Sequence, residues 1–185
     1  MPIAELRRQF DVNVFGALGV VQAFLPALPE GRGRVVFVGS ISGRLSTPYI
    51  GPYSASKFAL RAIADALRME LAPAGIAVTL VEPGSVKTPI WAKGRAARAI
   101  LESHVSRSSR AYYRKAVEQV IVQTEIEENA GMPVETVADA IAHALSSERP
   151  KASYLLGTPA KIGSILALIP APWRDRFVRA TMRLP

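Results

Sequence analysis

Apolar residues recur at helical spacing from the start of the chain. Leu6, Phe10, Val14, Leu18, Val21 and Leu25 fall near one face between Ile3 and Leu28. That spacing predicts one long helix over about 3–28, ended by Pro26 and Pro29. Gly16 and Gly19 lower helix propensity inside it, which points to close packing against another backbone. Arg34-Val35-Val36-Phe37-Val38-Gly39-Ser40 then reads as a buried strand ending in a small polar residue. Ile41 to Pro52 is rich in Gly, Ser and Pro and predicts a loop. From about Pro52 to Ala72 a second helix is predicted, with Ala59, Ala62, Ile63, Ala66 and Met69 on one face and Arg61, Asp65 and Arg68 on another. Pro73-Ala74-Gly75 stops it. A second strand follows at about 76–82, then the turn Pro83-Gly84-Ser85-Val86-Lys87-Thr88-Pro89.

Beyond Pro89 the pattern is looser. Trp91 to Arg110 is basic and irregular, with short helical stretches, and Ala111 to Glu128 looks helical. Pro133 to about Leu145 predicts a helix with Val137, Ala138, Ile141 and Leu145 inward, and Ala152 to Leu156 a short strand. The tail from Pro159 to Leu184 reads as two short helices broken at Pro170 and Pro172. Alternation of strand and helix predicts an α/β fold, a parallel sheet with covering helices.

Composition narrows the function classes. The 185 residues suffice for one sizeable core, so a single domain over 1–185 is expected. Without Cys there is no disulfide, thiolate metal site or Cys nucleophile. His104 and His143 sit far apart with no partner pattern, so both read as surface or half-buried helix residues and no metal site is expected. There is no run of 18 apolar residues and no signal-peptide layout, which leaves the cytoplasm as the default location. The net charge of +8 is scattered and not interleaved with aromatics, so no nucleic-acid partner is expected.

The chemistry concentrates in Tyr53, Lys57 and Ser40. Tyr53 and Lys57 are one helical turn apart on one face, and Ser40 lies thirteen residues upstream of Tyr53. A phenol with a reference pKa of about 10 is a poor acid–base catalyst near neutrality. A fixed cation nearby favours the phenolate, so Lys57 is expected to lower the Tyr53 pKa. The bland counterpart is a surface Tyr–Lys helix pair. A serine-hydrolase reading of Ser40 fails, because Gly39-Ser40-Ile41-Ser42-Gly43 does not spell G-x-S-x-G.

Asn13 in its helix, Ser40 at a strand end, Tyr53-x-x-x-Lys57 and Pro83-Gly84-x-Val86-x-Thr88 form an ordered set. The set resembles the short-chain dehydrogenase/reductase family and covers roughly the first half of the chain. The resemblance implies a partial Rossmann-like, doubly wound parallel sheet. It also implies an NAD(P)-dependent oxidoreductase that interconverts an alcohol and a ketone or aldehyde by hydride transfer. Tyr53 would be the general acid–base residue, and Lys57 would also bond the nicotinamide ribose. Ser40 would polarise the substrate oxygen, with Ser42 as a second-ranked hydroxyl. Asn13 would hold a water linking Lys57 to solvent. Pro83, Gly84, Val86 and Thr88 would receive the nicotinamide end of the cofactor. The family usually carries Ser-Ser at the strand end, where Gly39 here replaces the first Ser.

The family's opening strand and T-G-x-x-x-G-x-G turn are not found in the sequence; Gly31-Arg32-Gly33 precedes a strand instead of following one. The chain therefore reads as the C-terminal catalytic portion of a longer enzyme. NAD and NADP stay undistinguished, and the strand around Val36 is expected to present an apolar sheet edge. The resemblance assigns residues about 90–130 to a variable substrate-covering lid. Ile90, Trp91, Tyr112 and Tyr113 either line an apolar pocket or serve packing. A hydrophobic alcohol or ketone is the expected substrate. Pairing through helices about 3–28 and 52–72 implies a homodimer or homotetramer. The basic tail with Trp173, Arg174, Arg176 and Arg179 is read as a docking helix with a solvent face in preference to a membrane-surface helix. The alternative function is a non-catalytic remnant acting as an oligomerisation or interaction module.

Overall fold

The computed structural model describes residues 2–103 and 105–183; His104 and Leu184 lie outside the described residues. Three strands, β1 (Arg34–Val38), β2 (Ala77–Pro83) and β3 (Ser153–Leu156), form a parallel sheet in the order β1-β2-β3. Arg34 pairs with Ala77 and Val38 with Val81, while Leu80 pairs with Ser153 and Pro83 with Leu156. A parallel strand covered on both faces favours a continuous apolar run. Every residue of β2 from Val78 to Pro83 is buried, and two of them, Thr79 and Glu82, depart from that apolar run.

The chain divides into two compact units. Met1–Gly84 with Glu135–Ala167 makes the first, and Ser85–Val134 with Leu168–Pro185 the second. The first holds the sheet and the helices α1 (Ile3–Phe10), α2 (Ala17–Phe24), α3 (Gly51–Glu70), α6 (Val134–Ser146, all but its first residue) and α7 (Thr158–Leu166). The second holds α4 (Ile90–Ser103), α5 (Arg107–Asn129) and α8 (Ala171–Thr181). The predicted irregular stretch after Trp91 is the helix α4. Ala92, Ala96 and Ala97 with their interspersed Arg residues supply enough propensity to carry one glycine, Gly94. In the second unit Lys87 N–H donates to the Met132 carbonyl (3.0 Å) and Met132 N–H to Ser85 (2.9 Å). Arg95 pairs with Glu128 in the same unit.

The N-terminal helix is continuous from Ile3 to Ala27 but not uniform. A π-helical segment, Asp11–Gly16, separates α1 from α2, and a 3₁₀ turn at Leu25–Ala27 ends it. Gly16 allows the wide turn, because a Cβ there would stand 3.1 Å from the Asp11 carbonyl oxygen. Neither glycine abuts a foreign backbone as the sequence predicted: Gly16 meets its own helix, and Gly19 faces open space. The inward face holds the predicted Val14 and Val21, while Val12, Phe15, Val20 and Phe24 lie exposed. An 18-residue window of this stretch has mean hydropathy 1.4, so length and composition alone would suffice to cross a membrane. Burial of Val14 and Val21 in the fold accounts for part of that apolar character.

The first unit's core joins Val21 of α2, Phe37 of β1, Leu60 and Ala64 of α3, and Val78 and Leu80 of β2. Burying each large member contributes about 1.5–3 kcal/mol. The inner face of α3 is set by Leu60, Ala64 and Leu67; of the predicted face Ile63 packs against the core, while Ala62 and Met69 face out. Leucines bury more apolar area than alanines, so their face wins the contact. β1 is an edge strand, as the sequence led one to expect, and Val38 is 46% exposed.

The entries to β1 and β2 meet at two left-handed glycines. Gly31 has φ 73° and Gly75 φ 69°. Gly31 N–H donates to the Ala74 carbonyl at 2.8 Å, and a Cβ at position 75 would lie 2.6 Å from Gly31 Cα. Gly75→Ala therefore combines a disfavoured φ with a backbone clash. Urea denaturation is expected to show a loss of about 2–4 kcal/mol.

Candidate active site

In open α/β sheets the crevice beyond the carboxyl ends of the strands is where ligands bind. Here β1 runs out at Val38, and Gly39 N–H extends the ladder by one bond to the Val81 carbonyl (2.7 Å). A Cβ at Gly39 would stand 3.0 Å from Leu80 Cδ1 and 3.4 Å from Glu82 Cγ, so the small residue suits the site. Ser40 follows in extended conformation and caps the 3₁₀ turn Ile41–Gly43, its Oγ accepting from Ser42 N–H at 3.1 Å. Gly43 seats that turn directly on α3, where a Cβ would come within 2.8 Å of the Lys57 carbonyl oxygen.

Helix α3 brings Tyr53 and Lys57 to the same place. The Ser40 hydroxyl acts on the Tyr53 phenol in the direction that favours its ionised form. Lys57 Nζ lies 5.8 Å from the centre of the Tyr53 ring and donates to the Val38 carbonyl at 3.1 Å. Asn13, in the π-helical segment, donates from Nδ2 to Ser56 Oγ at 3.0 Å, and Ser56 donates to the Tyr53 carbonyl at 2.7 Å. Asn13, Ser40, Tyr53 and Lys57 thus converge from three segments. Ser42 is buried as well, its amide spent on Ser40.

The electrostatics differ from the sequence expectation. Burial pushes the Tyr53 phenol above its ordinary value, and the Ser40 hydroxyl pulls it only part of the way back. Burial also lowers the Lys57 amine. Lys57 was expected to lower the phenol's pKa, yet its ammonium lies 5.8 Å from the ring centre and bonds a strand carbonyl, and the shift is set by burial and the Ser40 hydroxyl.

An open groove of about 560 Å³ borders the free edge of β1 and is lined by Asn13, Val20, Phe24, Val38, Lys57 and Leu60. The run from Pro83 to Thr88 crosses from one unit to the other. Pro83 ends β2, and Gly84 N–H donates to the Leu156 carbonyl at 3.1 Å. In the second unit the Val86 carbonyl accepts from Trp91 Nε1 (2.8 Å), and Thr88 borders a hollow of about 280 Å³ with Lys87, Trp91, Glu128 and Asn129. Ile90 is exposed, and Tyr112 and Tyr113 meet edge to face at 4.9 Å. His143 is exposed on α6, its Nδ1 2.7 Å from the Tyr154 hydroxyl.

Sequence reading missed Ser56, Arg44, Arg61 and Glu82. The readable signal was Glu82, a lone carboxylate closing the mostly apolar strand Val78-Thr79-Leu80-Val81, since a buried charge needs a partner.

A family profile described as short chain dehydrogenase matches residues 1–99. An NADPH-dependent 3-dehydrocapnine reductase of Ornithobacterium rhinotracheale is 36% identical over 184 residues, which cover 96% of this chain and 62% of that protein. Retinol dehydrogenase 16 of Homo sapiens is 35% identical over 163 residues, 82% of this chain and 49% of that one. Among solved structures, a short-chain dehydrogenase from Streptomyces avermitilis matches with TM-score 0.71 at 28% identity, covering 99% of this chain and 63% of that one. A short chain dehydrogenase/reductase from Burkholderia phymatum in complex with NAD matches with TM-score 0.61 at 26% identity, covering 95% and 58%. The chain thus spans less than two thirds of the length of each of these proteins.

The seating of the Ser40 turn on α3 is open to a direct check. Gly43→Ala forces the turn off the Lys57 backbone and is expected to lower stability by about 1–3 kcal/mol. Gly94→Ala, in an exposed helix position with nothing near its Cβ, is expected to raise it by about 0.5–1 kcal/mol. Paired thermal melts of the two variants measure both.

Proposed function

The chain belongs to the short-chain dehydrogenase family, and on that premise we propose that it works as an NAD(P)-dependent oxidoreductase interconverting an alcohol and a ketone or aldehyde. The observation that carries this reading is the convergence of the Ser40 hydroxyl and the Tyr53 phenol, with Lys57 one turn behind, at the carboxyl end of β1. The dinucleotide would supply or accept the hydride. The residues present fit its nicotinamide–ribose end. Lys57 has three N–H donors and gives one to Val38, leaving two for ribose hydroxyls. Asn13 and Lys57 both border the groove along β1. Pro83, Gly84, Val86 and Thr88 are assigned to the loop that receives the nicotinamide end, with the Val86 backbone at the carboxamide and the Thr88 hydroxyl at the carboxamide or pyrophosphate. Nothing in the residues separates NAD from NADP.

In the reductive direction Tyr53 gives its phenolic proton to the substrate oxygen. Ser40 Oγ accepts from Ser42 N–H, and the hydroxyl proton it offers the Tyr53 phenol turns to the substrate oxygen and stabilises the charge developing there. In the oxidative direction Tyr53 takes the alcohol proton. Asn13 steadies the helix turn between Tyr53 and Lys57 through Ser56, and the water link to Lys57 is part of the proposal. A phenol raised by burial stays protonated through neutral pH, which suits the acid role. The proposed substrate is apolar, with residues about 90–130 selecting it and residues 1–185 acting as one catalytic portion in the cytoplasm.

The exposed stripe Val12, Phe15, Val20 and Phe24, with Phe58 and Met69 exposed on α3, supports pairing through these helices as a homodimer or homotetramer. The same stripe favours the second reading, a non-catalytic interaction module. Quenching of protein fluorescence by NADH or NADPH separates the two, since the module binds neither.

Consumption of NADPH or NADH with a panel of apolar ketones tests the enzyme reading. Tyr53→Phe is expected to cut turnover by about 10³-fold or more while the cofactor Kd stays within about threefold. Near-wild-type turnover in that variant would remove Tyr53 from its role. The pH profiles follow from the direction of the phenol shift. The raised pKa keeps the acid form in place below pH about 10, so reductive turnover should stay level through neutrality and fall only above that value. Oxidative turnover, which needs the phenolate, should climb into the same alkaline range. A reductive limb that falls between pH 7 and 9 contradicts the assignment.

A further inference from the structure

We propose that Glu82 is a positioning residue for Ser40, its buried carboxylate tying the turn after Ser40 to the helix that carries Tyr53 and Lys57. The inference rests on the proposed oxidoreductase reading for its catalytic consequence, though not for its structural one. Glu82 is 0% exposed at the carboxyl end of β2, and four donors surround it. Its Oε1 accepts from Arg44 Nε and Arg61 Nη1, each at 2.9 Å. Its Oε2 accepts from the Ser153 hydroxyl at 2.6 Å and from Arg44 Nη2. Arg44 also reaches Ser153 Oγ at 3.2 Å.

The placement of these partners gives the network its meaning. Arg44 directly follows the 3₁₀ turn that Ser40 caps, and that turn is stiffened by Gly43 N–H to the Ser40 carbonyl (2.9 Å) and Arg44 N–H to Ile41 (2.8 Å). A shift of Arg44 is therefore passed back to Ser40. Arg61 stands one turn beyond Lys57 on α3. Ser153 opens β3. One carboxylate thus joins the Ser40 turn, the Tyr53–Lys57 helix and the neighbouring strand from behind the site. Removing its charge leaves two guanidinium groups facing each other at the junction, and their repulsion separates the two elements that hold Ser40 against Tyr53. The forked Arg44 contact fixes direction as well as distance, and the single Arg61 bond adds the tie to α3.

The experiment compares the 185-residue chain with Glu82→Gln, Arg44→Lys and Val137→Ala. Val137 is buried on α6, is not among the donors to Glu82, and serves as a core-truncation control. Hydrogen–deuterium exchange reads the amides of residues 42–45 without any need for turnover. Glu82→Gln is expected to speed their exchange by about tenfold or more, and Arg44→Lys by less, while amides of β2 keep their protection. With turnover present, Glu82→Gln is expected to lower kcat by about tenfold or more with the cofactor Kd within about threefold. Val137→Ala should leave both readouts unchanged. Unchanged exchange at 42–45 in Glu82→Gln overturns the proposal, as does exchange that rises equally across the unit. If the wild-type chain turns over nothing, the oxidoreductase reading fails on its own and the exchange result still decides this one. Should Glu82→Gln not fold, Arg44→Lys and Arg44→Met, altered at a partly exposed side chain, carry the same comparison.

Discussion

A parallel strand with both faces covered leaves no polar group a route to water, and β2 is such a strand. From Val78 to Pro83 nothing on it is exposed. Side chains alternate along a strand, so Val78, Leu80 and Glu82 share the face under α3. The first two are satisfied by apolar contact with Leu60 and Ala64. The third carries a full charge into the same layer, and a buried charge is tolerable only when paired and hydrogen-bonded. Arg44 and Arg61 answer that demand, one from the turn beside Ser40 and one from the helix beside Lys57. Solvation of one carboxylate and assembly of the candidate site are thus the same geometric event.

β1 pairs on one side only, and its outer edge is bordered by a groove with apolar walls. Outward apolar residues on the N-terminal helix lie in the same unit. Isolated surface apolar residues are ordinary, but a stripe on one helix together with a bare strand edge marks surface that natural proteins cover.

Within the site two forces oppose each other. Burial favours neutral Tyr53 and neutral Lys57, whereas the Ser40 hydroxyl favours the phenolate. Lys57 is held by a strand carbonyl and lies 5.8 Å from the centre of the ring. The balance leaves a proton donor at neutral pH, which is the state a carbonyl reduction requires.

Much of this protein was legible along the chain because the relevant periodicities are local. Apolar runs gave the three strands, and Pro73-Ala74-Gly75 marked where α3 stops. The spacing of Ser40, Tyr53 and Lys57 placed the candidate chemistry, since a strand end and a first helical turn fix their own side chains. What escaped the sequence depends on partners far along it. The π-helical turn at Asn13 goes with a bond to Ser56, 43 residues on. The inner face of α3 follows Leu60 and Leu67, because the sheet chooses the larger apolar side chains over the alanine stripe. Glu82 finds Arg44 and Arg61 at separations of 38 and 21 residues, a pairing no local pattern announces. The direction of the Tyr53 shift was likewise a tertiary decision. Spacing set the cation one turn away, but only the folded chain decides how much water the phenol loses.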